Sequence, residues 1–183
     1  MMILTINEHI RLEETAPQHA AGLLDAVNAN REHLSAFLPW VGAMQTVEDF
    51  QRYIQQCEQK TAEKLEVSFV IFVNDKIVGR IGIHHIQPGN QSGAIGYWLA
   101  LEAGGKGVML NCCRKIVEYG FSVLQLHRIE IKAATHNIKS QAIPQKLGFI
   151  REGILREAER VNDVYFDIVL YAMLQHEWKH LLQ

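Results

Sequence analysis

The chain has 183 residues, of which 18 are Lys or Arg and 20 are Asp or Glu, and its formal net charge is -2 at pH 7. This length predicts one domain over residues 1–183, and the balance of 48% hydrophobic to 21% charged residues excludes wholesale disorder. Without an excess of Lys and Arg, there is no electrostatic reason to expect direct nucleic-acid binding. The three cysteines are odd in number and two are adjacent, which argues against a disulfide framework. This predicts a location in the reducing cytoplasm. No stretch approaches the roughly 18 continuous apolar residues of a membrane span, so no membrane association is expected.

The first third of the chain is predicted to be mostly helical. Residues 2–13 favour a short strand or hairpin, and Pro17 then opens a helical stretch at a position where its fixed φ does little harm. A second short helix is expected over residues 31–38. Thr46 and Asp49 predict the capped start of a third, amphipathic helix, with Thr46 as the N-cap.

The pattern then changes to strands separated by helices. The predicted elements are strands over 67–73, 76–86 and 94–99, a helix over 109–124, a strand over 128–133, a helix over 137–147, strands over 150–160 and 164–173, and a terminal helix over 174–182. This order predicts an α+β fold with a mostly antiparallel sheet, and it argues against a doubly wound dinucleotide-binding fold. Only the unit from Ala94 to Ala133 requires a parallel crossover.

A glycine-rich loop, residues 104–107, lies between a predicted strand and a predicted helix. Free N–H groups and the helix dipole at such a place favour an anion, above all phosphate. A Walker loop would need Ser or Thr after Lys106, where the chain has Gly107, and a dinucleotide fingerprint starting at Gly105 would need Gly or Ala in place of Leu110. The glycines alone leave a phosphate site and a plain turn equally open.

A second candidate segment runs from Thr135 to Phe149. Asn137 is placed to cap the short helix and Ser140 lies in its first turn, so local capping accounts for both residue types. The order of several spaced motifs favours a functional role for these residues over local capping alone. They are residues 96–99, 105–109 and 137–149, together with Leu38-Pro39-Trp40, Glu152-Gly153 and the spacing from Tyr171 to Trp178.

In these motifs the chain resembles the GNAT superfamily of acetyl-CoA-dependent N-acetyltransferases, from about Ile10 to Trp178. More narrowly, it is similar to the ribosomal-protein-serine acetyltransferases, which modify protein N-termini. The resemblance implies a mixed sheet whose fourth and fifth strands splay apart, with acetyl-CoA as co-substrate in the splay and no metal. It is compatible with a homodimer.

The resemblance also implies a set of cofactor-binding residues. The backbone at Trp98 and Leu99 would pair with the pantetheine arm, and Asn137 would anchor the cofactor near its thiol. The N–H groups that would hold the pyrophosphate belong to Gly105, Lys106, Gly107, Val108 and Met109. Gly104 departs from the family pattern, which usually has Gln or Arg there, and the missing side chain predicts weaker acetyl-CoA binding.

Two carboxylates are candidates for the catalytic base. In the subgroup the amine attacks directly, without an acyl-enzyme, and Glu159 matches the position of the base in the relatives. Glu157 is two residues away and would face the same side on a regular strand. Ser140 matches the group that donates a proton to the leaving thiolate, directly or through water.

Other chemistries find little support. Cys112 and Cys113 lie in a helix patterned for burial, which argues against a nucleophilic cysteine. His84 and His85 are neighbours on a strand and point to opposite faces, and no C-x-x-C motif exists, so zinc is not expected.

The sequence therefore predicts acetyl transfer to a primary amine, most directly the N-terminal α-amine of a ribosomal or other protein. A small amine, such as a polyamine or an amino sugar, stays open as the acceptor. A non-catalytic acyl-CoA-binding protein with a degenerate phosphate loop is the alternative of another class, and Gly104 is the feature that supports it.

Overall fold

The computed structural model describes residues 1–181, and its strands form a single eight-stranded sheet. The elements in chain order are β1 (Ile3–Thr5), β2 (Ile10–Glu14), α1 (Ala20–Asn28), α2 (Arg31–Ser35), α3 (Val47–Ala62), β3 (Val67–Val73), β4 (Lys76–Gln87), β5 (Ser92–Leu99), α4 (Val108–Ser122), β6 (Arg128–Ala134), α5 (Ile138–Lys146), β7 (Ile150–Val161), β8 (Val164–Leu174) and α6 (Gln175–Leu181). Position 182, the last residue of the predicted terminal helix, lies outside the described residues.

Local sequence explains where several elements begin and end. Thr46 Oγ1 accepts from the N–H of Asp49 and the Asp49 carboxylate accepts from the N–H of Thr46, which is the reciprocal cap predicted for α3. Asn137 caps α5 in a similar way through its side-chain oxygen. Gly148, with φ of 81°, follows α5 in the left-handed conformation that glycine adopts readily.

The strand order is β1-β2-β3-β4-β5-β6-β8-β7, and β5 with β6 is the parallel pair. Successive residues of β3 point to opposite sides of the sheet. Phe69 and Ile71 join the core beneath α4, whereas Val70 and Phe72 pack beneath α1 and α3. We call these two sides the α4 face and the α3 face.

The predicted α+β fold with splayed central strands is confirmed. Residues 2–13 form two strands, so the strands that separate are the fifth and sixth of the chain, β5 and β6. The expectation of a regular strand around Glu157 is wrong. The β7–β8 register jumps from Leu155–Ile168 to Glu159–Phe166, and Glu157 has φ of 48°, because three residues of β7 bulge opposite Asp167.

Candidate active site

The site is built around a gap between two parallel strands. β5 and β6 pair only from Ser92–Arg128 to Ile95–Ile131, and then they diverge. We call the space between residues 96–99 of β5 and residues 132–134 of β6 the gap. Its closed end is the Ile95–Ile131 pair, and its open end lies toward Leu99.

Main-chain groups of β5 are available along this gap. The N–H of Ala100 donates to the carbonyl of Val78 on β4, at 2.7 Å. Because hydrogen-bonding directions alternate along a strand, the main chain of Trp98 also points to β4, whereas Tyr97 and Leu99 direct theirs into the gap. An extended ligand arm lying in the gap would therefore meet the N–H and C=O groups of Tyr97 and Leu99. Trp98 contributes a buried side chain on the α3 face.

The glycine-rich loop places a row of unpaired main-chain N–H donors next to the open end of the gap. Gly105 and Gly107 have φ of 76° and 74°, and Gly107 is the N-cap of α4 without any side-chain cap. Within residues 1–181, the N–H groups of residues 105–109 donate to no protein acceptor. Because these donors coincide with the positive end of the α4 dipole, the loop suits an anionic group.

Gly104 itself is held in a tight turn. Its N–H donates to the carbonyl of Leu101 at 3.0 Å, and a Cβ built on Gly104 would lie 3.0 Å from the same oxygen. A side chain here would require that carbonyl to move by a few tenths of an ångström. The backbone of Gly104 has φ of -67°, so only this contact, and no backbone strain, opposes a larger residue.

Across the gap from the loop, β5 and α5 are joined by a hydroxyl pair. The phenol of Tyr97 donates to the carbonyl of Ser140 at 2.9 Å, and Ser140 Oγ lies 3.4 Å from the same phenolic oxygen. Asn137 Oδ1 accepts from the N–H of Ser140 at 3.1 Å. Burial raises the pKa of Tyr97, so that its phenol stays protonated and can act as a donor.

The sequence does not identify Tyr97 as a site residue, because the motif at residues 96–99 points only to the backbone of the strand. Its position directly after Gly96 on a strand that borders a cleft is the signal that would have identified it.

The open end of the gap is bordered on the α3 face by Glu159 and an aromatic stack. His136 packs edge-on against Phe166, with ring centroids 4.4 Å apart, and stacks on Phe37 at 5.3 Å. Glu159 is the register partner of Phe166 and thus shares its side of the sheet. Although Glu159 keeps contact with solvent, desolvation by its surroundings raises the pKa of its carboxyl.

The N-terminal helical segment reaches over this end of the gap. Asn162 Nδ2, in the turn between β7 and β8, donates to the carbonyl of Ser35 at 2.8 Å. Trp40 packs on Trp98 of β5 with ring centroids 6.1 Å apart. The segment from α2 to Trp40 therefore borders the α3 face of the gap, opposite the face that carries α4 and α5.

A protein-family model described as Acetyltransferase (GNAT) domain matches residues 9–150 of the chain. The chain belongs to the GNAT acetyltransferases. It is 31% identical over 180 residues to the putative ribosomal N-acetyltransferase YdaF of Bacillus subtilis (strain 168), with 98% of each chain covered. It is 29% identical over 171 residues to the ribosomal-protein-serine acetyltransferase of Escherichia coli (strain K12). The aligned region covers 93% of this chain and 96% of the relative.

A solved structure agrees with this assignment. The Microcin C7 self immunity acetyltransferase MccE, whose structure is a complex with acetyl-CoA and AMP, is 30% identical with a TM-score of 0.87, over 92% of this chain and 94% of that one. Our protein is accordingly an acetyl-CoA-dependent N-acetyltransferase. The free N–H groups at residues 105–109 and the gap-facing main chain of β5 fit the anionic and extended parts of that co-substrate.

The cysteines of this acetyltransferase are buried in the core. Cys112 and Cys113 have no accessible surface, and burial raises the pKa of Cys112 to about 12 and raises that of Cys113 as well. Both stay as thiols and are unsuited to covalent catalysis. Residues 1–181 contain no group of three or more potential metal ligands, and no helix in that range is both long and apolar enough to cross a membrane.

Proposed function

We propose that this acetyltransferase modifies the N-terminal α-amine of a protein, with a ribosomal protein as the first candidate. The observation that carries the proposal is the similarity over 98% of both chains to a putative ribosomal N-acetyltransferase. That similarity includes the N-terminal helical segment, which borders the open end of the gap where an acceptor would enter. An exposed end of this kind accommodates a peptide whose remainder stays outside the protein.

Acetyl-CoA supplies an activated acetyl group. In the proposal, the N–H groups of residues 105–109 bind its pyrophosphate. The arm lies along β5, where Leu99 and Tyr97 offer main-chain partners beside Trp98. Asn137 uses its side-chain oxygen to cap α5, which leaves its amide N–H groups as the part that anchors the cofactor near the thiol.

Two groups at opposite sides of the gap move protons in this proposal. Ser140, supported by Tyr97, donates a proton to the leaving thiolate. Glu159 accepts a proton from the incoming ammonium, and its raised pKa makes it a stronger base than an ordinary carboxylate. Glu157 is separated from this role because the bulge places it in a left-handed turn, where its N–H donates to Asp167 at 2.8 Å.

The charges around Glu159 support a single ammonium over a polyamine. A polyamine carries several positive charges and needs several free carboxylates. Of the nearby acids, Asp163 pairs with Arg160 at 2.6 Å and Asp167 accepts from the main chain of Glu157. Within residues 1–181, the nearby carboxylates with neither an ion pair nor a hydrogen bond are therefore only Glu157 and Glu159. A small amine is therefore the second candidate acceptor.

We further propose that residues 1–183 form one cytoplasmic domain that can assemble as a homodimer.

The acceptor can be identified with matched substrates. Purified protein is mixed with acetyl-CoA and with a serine-initiated peptide, the same peptide blocked at its N-terminus, or spermidine, and released CoA thiol is measured. The proposal expects turnover with the free peptide alone. Turnover with spermidine and none with the free peptide would replace the proposed acceptor by a small amine.

The base is tested by Glu159→Gln with Glu157→Gln as its matched control. Because general base catalysis contributes typically about 10²-fold or more, Glu159→Gln should lower kcat by roughly that factor and leave acetyl-CoA affinity unchanged. Glu157→Gln should retain most of the activity. Equal kcat values for both variants would remove Glu159 as the base.

A further inference from the structure

A buried polar cluster lies on the α3 face beside the closed end of the gap. Its centre is the carboxylate of Glu66, a residue that is only 6% exposed. Glu66 Oε1 accepts from Arg80 Nη2 at 3.1 Å and lies 3.2 Å from His84 Nδ1. Lys60 Nζ lies 3.8 Å from Oε2. The cluster is completed by Tyr53 and Cys57 of α3, which contact Arg80.

This arrangement places Nδ1 of the His84 imidazole beside a carboxylate oxygen. In the neutral tautomer that carries its proton on Nδ1, toward Glu66, the lone pair of Nε2 is free. Within residues 1–181, Nε2 of His84 has no hydrogen-bond partner. The side chain is 24% exposed, so the ring also contacts solvent.

The ring of His84 lies directly over the first residue of the gap. A Cβ built on Gly96 would be 3.4 Å from Nε2 and 3.2 Å from Cδ2 of His84. Gly96 is the residue of β5 that follows the last pair with β6, Ile95–Ile131. Its lack of a side chain therefore leaves Nε2 of His84 against the main chain of Gly96, at the closed end of the gap.

We propose that His84 accepts a proton from the acceptor amine at the closed end of the gap and that Glu66 is its positioning residue. This inference rests on the proposed acetyl transfer to an amine. The reaction forms a C–N bond and breaks the thioester C–S bond, and an ammonium acceptor loses two protons in all. Glu159 takes the first proton as the ammonium enters, His84 takes the second as the amine attacks, and each releases its proton to water. Ser140, beside Tyr97 on the α4 face, gives a proton to the CoA sulfur and regains one from water, so that one proton in all reaches solvent.

His84 and Glu159 serve different ends of the gap. By register, Gly96 lies near the level of Lys132 on β6, whereas Glu159 lies at the level of His136. Four residues of strand separate the two levels, which is about 13 Å. Glu159 thus meets the ammonium as it enters, and His84 faces the nitrogen deeper in the gap.

The charges that act on His84 come from three neighbouring elements. The groups are Glu66 before β3, Arg80 on the same strand, Tyr53, Cys57 and Lys60 on α3, and Glu130 and Lys132 on the same face of β6. Glu66 is the carboxylate in direct contact with the imidazole, so it stabilises the imidazolium that forms when Nε2 takes the proton.

The test compares His84→Gln with His85→Gln, whose side chain is exposed on the neighbouring position. We expect His84→Gln to lower kcat/KM for the peptide acceptor by roughly 10²-fold at pH 7. It should also flatten the acid limb of the pH profile of kcat/KM. Acetyl-CoA affinity, measured by calorimetry, should stay unchanged and reports intact folding. Added imidazole should restore part of the activity of His84→Ala. Glu66→Gln should move the acid limb to lower pH, a readout that a purely structural role would not change.

Two outcomes would overturn this inference. A His84→Gln variant with the rate and pH profile of His85→Gln would overturn the role of His84 while leaving acetyl transfer intact. A wild-type protein that binds acetyl-CoA but acetylates no amine would instead overturn the proposed function, and this inference with it.

Discussion

Replacing Glu66 by glutamine tests how strongly the buried cluster stabilises the protein. The substitution keeps the size of the side chain and removes the charge that faces Arg80, His84 and Lys60. Arg80 is 8% exposed and would be left as a buried cation without a carboxylate partner. Removing one partner of a buried ion pair costs about 3–5 kcal/mol in proteins generally.

The pKa of Glu66 provides a second route to the magnitude. Burial opposes ionisation, but the hydrogen bond from His84 and the charges of His84, Arg80 and Lys60 lower the pKa from its ordinary 4.5 to about 2. At about 1.4 kcal/mol for each tenfold change in proton affinity, this corresponds to an upper value of roughly 3 kcal/mol at pH 7, because the shift includes the charge of a protonated His84. Because the folded-state pKa is below the unfolded one, this stabilisation is present above pH 4.5 and is lost as the pH falls toward 2.

The assay is urea unfolding of wild type and Glu66→Gln at several pH values, with Glu58→Gln as an exposed control on α3. We expect the variant to lose roughly 3 kcal/mol of unfolding free energy at pH 7. The difference from wild type should shrink by about 1 kcal/mol at pH 4 and about 2 kcal/mol at pH 3. A difference that stays constant from pH 7 to pH 3 would refute the assignment of an ionised, stabilising Glu66.

Three further substitutions probe the cofactor side of the gap. Gly107→Ala should lower the unfolding free energy by about 1–2 kcal/mol in urea unfolding, because φ of 74° is strained for alanine. It should also weaken acetyl-CoA binding in calorimetry. Gly89→Ala is the control, since a Cβ at Gly89 meets open space, and it should change neither quantity. Tyr97→Phe should lower kcat by roughly 10²-fold at unchanged acetyl-CoA Kd, and an unchanged kcat would show that Ser140 acts without the phenol. Gly104→Arg should tighten acetyl-CoA binding about fivefold relative to Gly104→Ala, and equal Kd values would show that the arginine reaches no phosphate.

The features of the fold that sequence predicted well are those with local causes. The cap at Thr46 and the stop at Gly148 depend on residues within a few positions of each other. The turn at residues 162–163 joins β7 to β8 as expected, since Asn and Asp tolerate the positive φ found there. The β-branched content of β3 and the alternation of apolar and polar residues in β6 were sufficient to locate these strands, because both patterns are local.

The features that sequence missed depend on contacts between distant residues. The bulge in β7 is a mismatch between two strands, so the sequence of β7 alone, read as a regular strand, did not reveal that Glu157 lies inside a bulge. Tyr97 and Ser140 are 43 positions apart and meet only after β5 and α5 pack.

The sequence presents His84 only as one of two adjacent histidines on a strand. Its partner Glu66 and the open position over Gly96 follow from the register of β4 with β5, which the spacing of the residues does not contain.

Hydrogen exchange with and without acetyl-CoA locates the bound co-substrate, because it reports individual segments of the backbone. We expect slower exchange on acetyl-CoA binding at residues 105–109 and at Tyr97 and Leu99, with helix α3 unchanged. Binding of acetyl-CoA that leaves exchange at residues 105–109 unaltered, or that protects a different surface, would contradict the placement of the co-substrate in the gap.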